Sequence, residues 1–363
     1  MQCPNCDYSN RKEVRLCLKC GHEFASINNN EQDPNSLFYE FSQLVDGLPM
    51  HQRSVKPKFQ NIFSRVFRMH SDVEAERLFI VGTSLTTPTL DEVVATWPKP
   101  WLFTRVFLFA LFAYLGLYVG VSLFGNINFI PGLIIIGSFA VPFTTLIFFW
   151  EMNAPQNIAI YKIVYVVLIG GILSLLLAVI FYDILRHNIN PVTIGIVEEL
   201  SKVVAVIFFV RPLKYKYILN GLLLGAAIGV GFAAFETAGY ALRALLSNSY
   251  HMLYYTIIWR SIFSPGGHVA WGAIAGAALC RVQGDSKLQF NMLFKPKFFL
   301  FFVLVVAFHA LWDSPWISNY PIGQLFLMIL SWVIVFRMIK MGLNEINEKK
   351  RKEILLLPQD KTH

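Results

Sequence analysis

The chain has 363 residues, of which 55% are hydrophobic and only 15% charged, with a mean hydropathy of +0.51. That composition excludes an ordinary soluble domain and points to a polytopic membrane protein, to which 32 phenylalanines and 23 glycines also conform. The net charge of +8 is assigned to cytosolic loops obeying the positive-inside rule rather than to nucleic-acid binding.

Four of the five cysteines lie within the first 20 residues, as Cys3-Pro-Asn-Cys6 and, ten residues on, Cys17-Leu-Lys-Cys20. Each short knuckle turns two thiolates toward one ion, so the pair predicts a structural Zn2+ ribbon over residues 1–25. Its fold would depend on the metal, and its reduced thiolates would place the amino terminus in the cytosol. A disulfide pair, needing an oxidising compartment, is the competing reading. His22 is expected at the surface, and the polar, cysteine-rich start does not resemble a signal peptide. Residues 26–36 are polar and turn-rich, as in a linker.

Phe59, Ile62, Phe63, Val66 and Phe67 recur at helical spacing among Lys56, Lys58, Arg65 and Arg68, which predicts a basic amphipathic helix. Such a helix suits either the inner membrane leaflet or a small soluble subdomain. Helix is expected to continue over 71–81, followed by a Thr/Pro loop and an aromatic, basic approach to the membrane at Trp97-Pro-Lys-Pro-Trp101. Residues 26–100 thus form a linker and interfacial region.

The membrane domain is placed at 101–342 and a basic cytosolic tail at 343–363. Apolar segments fall near 102–124, 129–150, 160–182, 192–210, 217–238, 255–280, 298–314 and 321–341. The fold class is therefore all-α and polytopic, with about eight transmembrane helices. With the amino terminus inside, Arg211, Lys214, Lys216, Arg281, Lys287, Lys295, Lys297 and Lys349 to Lys352 fall on inner loops or the tail. Outer loops then hold little beyond Arg186 and Arg243. The charge asymmetry and the thiolates independently place both termini in the cytosol.

Charged side chains at bilayer depth cost about 2.5–3.5 kcal/mol each on insertion scales, and usually pair or line a wet cavity. In the fourth span Glu198, Glu199 and Lys202 lie together, so one lysine neutralises either acid but not both. Glu236 and Arg260 lie near outer span ends and form one candidate pair. His268 follows Pro265-Gly-Gly, and His309 and Asp313 lie one helical turn apart. Although these spans alternate in direction, all of these residues fall in the outer half. That convergence predicts one water-filled cavity, with irregular backbone at Pro265 tolerated because it lines the cavity. Taken singly, each pair is equally compatible with a buried structural contact. Together they suit peptide hydrolysis, which needs a water, a general base, an acid for the leaving amine and an oxyanion donor. The familiar serine, aspartyl and His-Glu-x-x-His zinc signatures are absent.

Four motifs in order resemble the PrsW-type intramembrane proteases. They are Glu198-Glu199-x-x-Lys202, Asn220-Gly221 leading to Gly231-Phe-Ala-Ala-Phe-Glu236, Arg260 with Pro265-x-x-His268, and His309-x-x-x-Asp313. The chain is distantly similar also to the CAAX prenyl endopeptidases. The resemblance covers about residues 150–315. It implies catalysis by Glu198 and Glu199 as acid and base with His268 assisting, and Lys202, Glu236, Arg260, His309 and Asp313 as a supporting polar network. It further implies no catalytic cofactor, a bacterial cytoplasmic-membrane location and a membrane-protein substrate of the single-span anti-sigma-factor kind. The chain departs from the family pattern at Asn220 and Thr237. A metalloenzyme using His268, His309 and the glutamates is one alternative. A non-enzymatic sensor, scaffold or proton-coupled transporter using the same carboxylates is another.

Overall fold

The computed structural model describes residues 58–356 apart from 84, 186–188 and 211–212. The expected zinc ribbon with Cys3, Cys6, Cys17 and Cys20, and the end of the tail, lie outside the described residues.

The segment before the first long helix differs from the expected amphipathic helix. Residues Phe59–Asn61 make one 3-10 turn, and further turns follow to Arg68. The 59–67 pattern arises because Ile62 and Val66 are buried while Phe59 meets Phe336 edge-to-face and Phe63 tilts against Phe103. A true helix, α1, spans Asp72–Phe79, where Ser71 and Glu74 form a reciprocal capping box. Trp97 and Trp101 are buried, and Trp101 is sandwiched by His70 and Arg105. They are packing residues here, not exposed anchors.

The remaining helices are α2 (Leu102–Ser122), α3 (Ile130–Met152), α4 (Ile160–Leu185), α5 (Pro191–Val210), α6 (Ile218–Leu246), α7 (Tyr250–Phe263), α8 (His268–Gln283), α9 (Pro296–Asp313), α10 (Pro315–Ser318) and α11 (Pro321–Leu356). No strand occurs among the described residues. Six helices, α2, α3, α4, α6, α9 and α11, are long and apolar enough to cross a membrane. The other two expected spans fall outside that set for visible reasons. Helix α5 carries Glu198, Glu199 and Lys202, and the stretch 255–280 is not one helix but α7 and α8 separated by a turn at Ser264–Gly266. Helix α11 runs unbroken past 342, with Leu343 and Ile346 fully buried, so the expected start of a solvated tail at 343 is no boundary.

Helix α6 is the hub, and α8 lies antiparallel against it. Glycines make this approach possible. A Cβ on Gly221 would strike the Gly276 carbonyl, one on Gly225 the Gly272 carbonyl, and one on Gly229 the His268 carbonyl. Small residues spaced by four let two backbones meet and give van der Waals packing that lipid cannot replace. The same face therefore fixes where His268, the first residue of α8, stands.

Charged groups tie one end of the bundle. The Glu151 carboxylate accepts from the backbone N–H groups of Trp101, Leu102 and Phe103, covering the orphan donors that open α2. Asp285 holds both Lys216 and Lys349, and Glu345 accepts from the Ile218 N–H at the start of α6. Buried Asn153, Asn157 and Asn220 bond to one another there, so the asparagine that departs from the family pattern is a structural tie. At the opposite end Val121, Ile130, Leu253 and Ile257 pack together, and the hydroxyls of Ser122 and Tyr254 meet.

Candidate active site

The glutamates of α5 are neighbours in sequence but differ in surroundings, because successive residues point about 100° apart around a helix. Glu199 is completely buried, and its Oε1 accepts from Lys202 Nζ at 2.5 Å and pairs with His309 Nδ1 at 2.7 Å. The lysine thus chooses the i,i+3 acid. Its ammonium also rests over Phe232 at 4.8 Å, an attraction to the ring face that helps offset burial. Glu198 is left without a cation of its own. Its Oε1 accepts from the Tyr182 hydroxyl at 3.0 Å, while Oε2 is buried with no hydrogen-bond partner among the described residues.

The two histidines come from other helices. His309 reaches Glu199 because Gly195 of α5 leaves room for the backbone of α9, with Val306 O 2.9 Å from where a Cβ would stand. Its Nε2 faces Glu198 Oε2 at 3.6 Å and Asp313 at 3.4 Å. His268 lies between Lys202 Nζ, 3.0 Å from Nδ1, and Glu236, 3.1 Å from Nε2. Glu236 in turn binds Arg260 at 2.6 Å, and Arg260 Nε donates to Thr237 Oγ1. The threonine that departs from the family pattern is therefore part of the network. The imidazole centroids of His268 and His309 are 5.1 Å apart, with Trp271 against both.

A cavity of about 620 Å³ opens onto this cluster, lined by Glu198, Glu236, Arg260, His268, His309 and Asp313 together with several aromatic side chains. Every site residue proposed from sequence within the membrane domain converges here. Glu199 and Lys202 do not line the cavity but stand behind it, holding the rings. Tyr182, Trp259, Trp271 and Trp312 line the cavity and escaped notice in the sequence. The one available signal was a tryptophan one turn after His268. Glu198 lies seven residues into α5, about 10 Å from its start at 1.5 Å per residue. Asp313 closes α9 at the same end.

With this geometry in view the family comparison becomes decisive. The model described as PrsW family intramembrane metalloprotease matches residues 108–339. The chain belongs to the PrsW family. No curated protein and no solved structure matches it. Membership supports an intramembrane protease over a sensor, scaffold or transporter. The PrsW match runs from α2 into α11 and contains all of the cavity residues.

The word metalloprotease in the PrsW description bears on the expectation that catalysis needs no cofactor. Glu198, His268 and His309 each offer a ligand atom within 4.8 Å of the others. Two imidazoles and a carboxylate are a donor set found at catalytic zinc. Glu199 on His309 Nδ1 is the carboxylate partner that orients a ligating ring. The residues present fit a divalent ion.

Proposed function

We propose that this chain is an intramembrane endopeptidase that hydrolyses a peptide bond of a membrane-protein substrate near the outer face, with Glu198 as the base that activates water. The observation that carries this reading is that Glu198, unlike Glu199, lines the cavity, beside both imidazoles and with its Oε2 without a hydrogen-bond partner among the described residues. The Glu199 carboxylate favours the His309 tautomer protonated on Nδ1, which leaves Nε2 to hold the attacking water next to Glu198. Glu198 takes the proton as the water oxygen adds to the scissile carbonyl. With Lys202 donating to His268 Nδ1, the ring proton sits on Nε2, where Glu236 accepts it at 3.1 Å and shares it with the developing oxyanion. The proton on Glu198 then passes to the amide nitrogen as the C–N bond breaks, giving a carboxylic acid and an amine. Glu199 and Lys202 act as positioning residues for the two rings.

Helices α5 and α7–α8 cross the bilayer with the six apolar helices, giving eight crossings. The basic loops face the cytosol, and the cavity opens near the external side of a bacterial cytoplasmic membrane. A metal-dependent reading is favoured by the Glu198, His268 and His309 donor set. A bound ion there would polarise the carbonyl and ease ionisation of the water.

Glu198→Gln keeps the shape and removes the base, so cleavage of a single-span test substrate should fall by about 10²–10⁴-fold at unchanged expression. Cleavage at the wild-type rate would end the assignment. Metal content should be measured on full-length protein with Cys3, Cys6, Cys17 and Cys20 all replaced by serine, so that ribbon zinc does not mask the result. One ion per chain, lost in Glu198→Gln, decides for the metal-dependent reading; activity that survives chelation decides for the glutamate alone.

A further inference from the structure

Beside the catalytic cavity lies a second hollow of about 440 Å³, between the last two turns of α6 and the face of α7. It shares Tyr240, Trp259 and Arg260 with the cavity and adds Arg243, Ser247 and Tyr255. Two guanidinium groups flank one ring here, Arg243 at 5.3 Å and Arg260 at 4.6 Å from the Tyr240 centroid. Arg260 is already committed to Glu236 and Thr237. Arg243 makes no ion pair among the described residues and stands exposed on α6. The groove is thus a cationic, hydroxyl-rimmed extension of the active site that lacks an anion.

We propose that this groove is a specificity subsite that takes an acidic side chain of the substrate, paired with Arg243, about three residues outward from the cleaved bond. The spacing comes from the helix. Arg243 lies seven residues beyond Glu236, or about 10 Å along α6 at 1.5 Å per residue. An extended peptide covers that length in about three residues. Tyr240 pre-orders the guanidinium by stacking, and Tyr255 offers a hydroxyl to a carboxylate. The wall shared by the two hollows at Tyr240, Trp259 and Arg260 argues for substrate rather than lipid, since it connects the groove to the cavity. The inference rests on the proteolytic reading of the cavity.

The test uses full-length protein carrying Glu198→Gln, in nanodiscs of neutral phosphatidylcholine. The probes are fluorescent single-span peptides with one glutamate moved through the outer positions, and matched glutamine and lysine versions. Glutamate within a narrow window should bind about tenfold tighter than glutamine there, the scale of one charge-assisted contact. Adding Arg243→Gln should erase that difference, and Arg243→Glu should transfer the preference to the lysine peptide. Equal binding of glutamate and glutamine peptides at every position overturns the subsite. So does an Arg243→Gln effect that is uniform across peptides and seen only with anionic lipids, which would make Arg243 a contact for lipid phosphate. Charge preference without cleavage by the wild-type chain would sustain the groove and overturn the protease; cleavage without preference would do the reverse.

Discussion

At the scale of the residue, the sequence left one choice open that the fold makes. Glu198 and Glu199 both stand within helical reach of Lys202, and spacing alone does not separate them. What decides is a third party: His309, admitted by Gly195, takes the other side of the Glu199 oxygen and leaves Glu198 to the Tyr182 hydroxyl and the cavity. No local pattern announces a glycine on one helix making room for a histidine on another that is distant in sequence. Glu236 with Arg260 was legible because both are costly at that depth and each is the natural partner of the other. The buried Lys202–Glu199 pair has a measurable consequence. Lys202→Met removes the cation and leaves the Glu199 carboxylate in an apolar site, which should destabilise the protein by about 3–5 kcal/mol. Adding Glu199→Gln should restore most of that loss without restoring cleavage, because His268 still lacks the Lys202 donor that fixes its tautomer. Thermal melting in detergent of the two single variants and the double variant measures the coupling. A double variant as unstable as Lys202→Met alone would show that the pair is not what the lysine stabilises.

At the scale of the element, long apolar runs were legible, and the irregular backbone at Pro265-Gly-Gly was legible from its Pro and Gly residues rather than from hydrophobicity. Hydrophobicity marks the 255–280 stretch as one span because Pro265, Gly266 and Gly267 do not lower it enough to show a break. The structure breaks it there, which starts α8 at His268 and aims that ring at Glu236. The 59–67 pattern misled for the converse reason, since apolar residues at helical spacing also occur in irregular chain, which here buries Ile62 and Val66 and leaves Phe59, Phe63 and Phe67 largely exposed. The α6–α8 contact can be tested by glycine. Gly225→Ala drives a methyl into the Gly272 carbonyl and should cost about 1–3 kcal/mol, with cleavage reduced further as His268 shifts. Gly239→Ala on the same helix meets nothing within 4 Å and should be neutral or stabilise by about 0.5–1 kcal/mol. Equal melting temperatures for the two variants would refute close packing as the reason for the glycines. The loop joining α8 to α9 is bound by charge instead. A hydrogen bond from Lys216, with Lys349 beside it, holds the Asp285 carboxyl below its ordinary value of 3.8. A lowered folded value means that its contribution is complete above the unfolded value and is lost as the pH falls through the folded one. Melting temperature should therefore decline more in the wild type than in Asp285→Asn as the pH drops below about 4. The difference is small because the side chain is largely exposed.

At the scale of the whole molecule, orientation follows from where the structure gathers its charges. Lys214, Lys216, Lys287, Lys295, Lys349 and Lys350 lie at the end that Asp285 and Glu345 tie together, while Arg243 and Arg260 stand toward the other. That division was legible in the sequence because loop charge needs no knowledge of packing. The shared end itself was not, because it depends on Glu151, Glu345 and three asparagines meeting across distant segments. Cationic loops resist transfer across an energised membrane, so the basic end should stay in the cytosol and the cavity should open externally. Single cysteines at exposed positions decide this. In a chain otherwise free of reactive thiols, Ser247→Cys should react with a membrane-impermeant maleimide added to intact cells. Ser286→Cys should react only after the cells are opened. The two sites lie at opposite ends of the α6–α8 pair, so their labels are not independent guesses but two readings of one vector. If Ser286→Cys reacted in intact cells and Ser247→Cys did not, the bundle would be inverted. The substrate bond would then be cut near the cytosolic face, with the chemistry of the site untouched.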